Sequence, residues 1–165
     1  MSHAKPAAGW RDVARPHSDI IEGRFDPSVF AVNIFAVYRN KAPSDYQEPD
    51  RFFAKTYLTQ GLKELISSVL RRLDGQPSAE AVTDLVTSFG GGKTHALLCL
   101  YHLAKEGKAS SGWQGVPELL KEAGLKAVPK AKVAVLSGEE IDVVQGVKGG
   151  EGEPDRHTIW GELAW

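Results

Sequence analysis

The residues best equipped to do chemistry lie together in the middle of the chain. Three consecutive glycines, Gly90, Gly91 and Gly92, are followed by Lys93 and Thr94. Glycines let a turn aim its backbone N–H groups inward without Cβ clashes. A lysine next to them supplies a point charge for terminal phosphates, and a threonine hydroxyl is a ligand for magnesium. The spacing matches the second half of the phosphate-loop pattern G-x-x-x-x-G-K-[ST], with Thr87 standing where its first glycine belongs. Such a stretch predicts a nucleotide site made by Ser88, Phe89, Gly90, Gly91, Gly92, Lys93, Thr94 and His95. Its cofactors would be ATP and Mg2+, the magnesium held through the Thr94 hydroxyl.

That chemistry needs a strand entering the loop and a helix leaving it. Val82, Leu85 and Val86 give an apolar, strand-like run over 81–86, and Ala96, Leu97, Leu98, Leu100 and Leu103 give a helix-like run ending near Lys105 and Gly107. A second buried strand is predicted over 132–136, between Pro129 and Gly138. The fold class expected is therefore α/β: a partial P-loop NTPase, a parallel sheet with flanking helices, preceded by an N-terminal helical segment. The division expected is an N-terminal arm and helices over 1–75, then a nucleotide-binding core over 76–165 that is truncated at its C-terminal end.

Within the first part, residues 1–25 show no sustained period and read as an irregular arm, with a turn at Pro16-His17-Ser18-Asp19 and Asp19 as a cap. A lone histidine in a turn is most often structural, and His17 is read that way. Asp26-Pro27 looks like a helix start, opening an apolar run to Tyr38. After loop chemistry up to Asp50, helical spacing runs from about Arg51 to Leu73, with Thr59 capping its second part, Gly61 a weak point and Gly75 just past the end. The Arg71-Arg72 pair suits a helix C-terminus, where the dipole favours positive charge. Farther on, Lys108 to Gly115 reads as a polar stretch, Pro117 opens a short helix ending near Gly124, and 137–157 is a charged, glycine-rich loop. A last helix-like pattern begins at Thr158 and breaks off at Trp165 without a cap, which suggests a piece of a longer protein.

Composition narrows the partners. The 20 basic and 21 acidic residues leave a net charge of −1, so bulk charge does not indicate nucleic acid, although it leaves room for a local patch. No apolar run reaches bilayer-spanning length. One cysteine, Cys99, rules out a disulfide within the chain and fits a reducing cytoplasm. His95 and His102 share a helix face, but no acid or thiol joins them at zinc-ligand spacing. A magnesium-holding acid at the end of an apolar strand has only Glu139, Glu140 and Asp142 as local candidates, and these follow a glycine turn, as solvated loop carboxylates do.

The chain resembles the N-terminal part of large prokaryotic AAA+-like P-loop ATPases, a group catalogued as a domain of unknown function. The resemblance rests on Thr87 to His95 and on Leu100-Tyr101-His102-Leu103-Ala104. Phe52-Phe53, Thr56-Tyr57-Leu58-Thr59, Gly61-Leu62 and Arg72-Leu73 extend it, as do Trp10, Pro16 to Asp19, Gly23 and Trp160 to Trp165. It implies ATP binding with Gly90, Gly91, Gly92, Lys93 and Thr94 as the phosphate and magnesium site. It also implies a chain continuing to its acidic strand, and in some members gene neighbourhoods linked to phage defence or DNA modification. Two functions follow as expectations. One is an ATPase that couples ATP binding and hydrolysis to conformational work. The other is a non-hydrolysing, nucleotide-dependent module that self-associates or binds a protein partner.

Overall fold

The computed structural model describes residues 9, 14–23, 32–86, 90, 92–138 and 146–164. They fall in two compact units, Met1–Phe30 and Ala31–Trp165. In the first, a single helical turn, α1 (Ser18–Ile21), starts on the His17 carbonyl, which accepts from Ile20 and Ile21. Asp19 thus falls inside the turn rather than capping it.

The second unit is built of helices. In chain order they are α2 (Ile34–Tyr38), α3 (Ser44–Gln47), α4 (Pro49–Lys55), α5 (Gln60–Leu73), α6 (Lys93–Glu106), a 3-10 segment (Gly107–Gly112), α7 (Val116–Ala123) and α8 (Ile159–Ala164). Local chemistry explains most boundaries. The Asn33 side chain accepts from the Phe35 N–H at 2.8 Å and caps α2. The Asp26-Pro27 start lies outside the described residues, but Val32 and Asn33 are not helical. Pro49 sits in the first turn of α4, and the Thr59 hydroxyl accepts from Leu62 N at 3.3 Å to open α5. The helical run expected from Arg51 is therefore two helices, broken at residues 56–59.

α6 is the central helix. Leu98, Cys99, Tyr101, His102, Leu103 and Ala104 are all buried along it, more than one stripe of a surface helix would hide. Ile66 and Leu70 of α5, Leu119 and Leu120 of α7, and Phe52 and Phe53 of α4 complete the core around it. Phe53 also meets the Trp113 ring at 5.1 Å, which ties α4 to the segment before α7. Each such large apolar side chain contributes about 1.5–3 kcal/mol by leaving water. Cys99 lies in this core fully buried, and burial pushes its thiol up to about 12.

The expected parallel sheet does not form among the described residues. Among the described residues no strand forms, and the β pairing is one isolated antiparallel bridge between Val147 and Arg156. The α/β, P-loop NTPase expectation is thus replaced by a helical fold. Residues 81–86 lack the burial of an inner strand, with Val82 81% and Val86 83% exposed. Residues 131–136 take no regular secondary structure, and alternate ones, Val133 and Val135, pack against the helical core. The Ala131 N–H donates to the Ala104 carbonyl near the end of α6 at 2.8 Å. Period-two hydrophobicity reports which side chains are buried, and here helices bury them without a ladder.

Candidate functional site

The glycine-rich turn leads directly into the central helix. Gly90 and Gly92 take left-handed backbone angles, φ +83° and +75°, which side-chain-bearing residues rarely adopt. Gly92 is the N-cap of α6, and its carbonyl accepts from Ala96 at 2.9 Å. Having no side chain, Gly92 brings no capping oxygen to compete for the first-turn amides, and no acidic residue stands in that turn. The start of a 14-residue helix is thereby kept electropositive. A Cβ built at Gly90 or Gly92 would meet none of the described residues within 4 Å.

Both glycines line a cavity of about 670 Å3. Gly90, Gly92, Lys93, His95 and Ala96 line it from the turn and α6, Leu85 from the segment before the turn. Tyr57 and Thr59 of the α4–α5 connection and Gly61, Leu62 and Leu65 of α5 form the rest. The volume is that of a small-molecule site, and the lining combines apolar walls with a lysine and a helix start. Thr94 follows Lys93 in the first turn and is half-buried. Ser88, Phe89 and Gly91, with Thr87, lie outside the described residues, as do Glu139, Glu140 and Asp142.

His95 has a structural tie that its sequence position did not reveal. Its Nε2 is 3.1 Å from the Thr56 hydroxyl, which also lies 2.7 Å from the Phe52 carbonyl. The hydroxyl has one proton and the carbonyl can only accept, so Thr56 donates to Phe52 and receives from His95. The imidazole therefore carries its proton on Nε2. Burial lowers its pKa from 6.5, which keeps it neutral near pH 7. One turn pair along α6, His102 donates from Nε2 to the Tyr46 carbonyl at 2.9 Å. Burial lowers its pKa too, with Lys105 adding to the shift and the Tyr46 bond and Glu106 opposing it. The Phe52 ring lies between the two, with centroids 4.7 Å from His95 and 5.4 Å from His102. The shared helix face expected for the histidines thus grips α4 and the end of α3. The signal that pointed to it was the seven-residue spacing, not any ligand pattern.

Magnesium fits this donor set only in company with phosphate. Mg2+ takes oxygen ligands, usually one or two protein oxygens with substrate phosphates and waters. Thr94 offers one such oxygen, and among the described residues no group of three His, Cys, Asp or Glu side chains is placed to hold a metal. Among the described residues, too, no helix is long and apolar enough to cross a membrane.

The family described as DUF499 N-terminal domain matches residues 11–165, nearly the whole chain, and the chain belongs to that family. No curated protein and no solved structure matches it.

Proposed function

We propose that this member of the DUF499 N-terminal domain family binds ATP with magnesium in the cavity at the start of α6, and serves an ATPase that couples nucleotide binding to conformational work. The observation that carries the reading is the left-handed Gly92 cap next to Lys93, both lining a cavity of about 670 Å3. Gly90, Gly91 and Gly92 would present backbone N–H groups, Lys93 would neutralise terminal-phosphate charge, and Thr94 would place the metal. Bound magnesium supplies charge neutralisation between neighbouring phosphates. Ser88 and Phe89 would belong to the same loop, and His95 would act through the wall it builds with Thr56. In the cell this function belongs in the cytoplasm, where ATP and magnesium are abundant.

Isothermal calorimetry tests the reading. Wild-type protein should bind ATP·Mg, and Lys93→Ala should lose most of that affinity while keeping its helical circular dichroism. Equal binding by the two would sink the proposal.

A second reading is that nucleotide binding governs protein association without turnover. An apolar groove of about 350 Å3 favours it, running between Leu73 of α5, Leu97 of α6 and Leu136 of the segment 131–136. Each of these three leucines is more than a third exposed. Sedimentation with and without ATP would register self-association, and sustained phosphate release would favour the hydrolytic reading instead.

A further inference from the structure

We infer that Tyr57 is the base-stacking platform of the same cavity, so that the ligand is a whole nucleoside triphosphate and not a bare polyphosphate. The inference rests on the phosphate reading of the glycine-rich turn and adds the part of the ligand that the turn does not explain.

Tyr57 stands out from its neighbours. Phe52 and Phe53 are 2% and 0% exposed, whereas Tyr57 is 85% exposed and lines the cavity. Its exposure is not the product of a loose backbone. On one side the Thr56 hydroxyl is held by the Phe52 carbonyl and His95. On the other, the Thr59 hydroxyl accepts from Leu62, and the Thr59 N–H donates to the Tyr57 carbonyl at 3.0 Å. A ring with two side-chain torsions, on a connection tied at both ends, loses little freedom when a flat partner settles on it.

The rest of the lining agrees. Gly90, Gly92 and Lys93 are suited to phosphate, but Leu62, Leu65 and Leu85 are not, and they occupy the same cavity. Apolar walls with an aromatic ring suit the base and ribose. Among the described residues no acidic one lines the cavity, so none of them repels a polyanion there. Every base has a π face, so stacking on Tyr57 serves purines broadly, and ATP and GTP should bind within a few-fold of each other.

The experiment compares ATP with inorganic tripolyphosphate, each with magnesium, on the full chain by calorimetry. Wild type should bind both, ATP more tightly. Tyr57→Ala should weaken ATP about tenfold or more and leave tripolyphosphate unchanged. Tyr57→Phe should restore ATP affinity, since the ring and not the hydroxyl does the stacking. Tyr57→Ala binding ATP as tightly as wild type, or losing both ligands equally, overturns the platform while the phosphate site stands. Wild type that binds neither ligand overturns the phosphate site, and the platform falls with it.

Discussion

His95 donates its Nε2 proton to the Thr56 hydroxyl across 3.1 Å, joining the first turn of α6 to the residue that ends α4. The bond fixes the wall of the cavity, because Tyr57 follows Thr56 directly and His95 stands two residues from Lys93. Thr56→Val removes the hydroxyl and leaves both the imidazole N–H and the Phe52 carbonyl without it. The expected cost is about 1–3 kcal/mol, read as a lower urea midpoint. His95→Phe keeps a ring on Phe52 but no N–H. It should cost less in the Thr56→Val background than in wild type, and equal costs in the two backgrounds would show that the pair is not coupled.

The same two histidines make stability depend on pH. Burial lowers the folded-state pKa of His95 and of His102 below 6.5, the value expected when unfolded. The unfolded chain therefore binds more protons than the folded one as pH drops. Stability from this source is fully present above about pH 6.5 and declines as the pH falls below it. Thermal melts between pH 7.5 and 5 should show the fall, and a His95→Gln, His102→Gln double variant should show a shallower slope.

Arg71 links α5 to the end of α7. Its Nε and one terminal nitrogen donate to the Ala123 and Glu122 carbonyls at 3.0 and 3.1 Å, while Lys63 pairs with Glu122 at 2.8 Å. Arg71 and Arg72 stand in the last turn of α5, where its dipole favours them, and Arg71 also serves the C-terminus of α7. Arg71→Ala should cost about 1.5–3 kcal/mol in chemical denaturation. Arg71→Lys should recover only part of it, since an ammonium cannot fork across two carbonyls.

Two glycines with positive φ should respond differently to alanine. At Gly92 a Cβ meets none of the described residues within 4 Å, so Gly92→Ala should cost about 1–2 kcal/mol from the backbone alone. At Gly107, φ is +59° and ψ −132°, and a Cβ would lie 2.6 Å from the Lys130 Cβ. Gly107→Ala should therefore be the more destabilising of the two by thermal melting, and the reverse order would contradict this account.

What the sequence disclosed follows the range of the forces involved. Thr59 as a cap, Gly107 and Gly124 as helix stops, and the helix after Gly92 depend on neighbours a few residues away, and all are found where expected. The two strands were misread because alternation at Val133 and Val135 records burial alone, and pairing depends on what lies alongside. The short helix at Ser44–Gln47, in a stretch rich in proline and serine, and the 3-10 turn after Gly107 were also missed. At the candidate site, Gly90, Gly92 and Lys93 could be singled out by type and spacing. Tyr57 could not, since it reaches the cavity through tertiary packing across 35 intervening residues.

The core's one thiol gives this molecule a chemical clock. Cys99 is fully buried in α6, and its thiol, pushed up to about 12, holds almost no thiolate at neutral pH. An alkylating reagent can reach it only when the helices around α6 separate. Its labelling rate therefore counts openings of the core, and a ligand held in the cavity at the start of the same helix slows it.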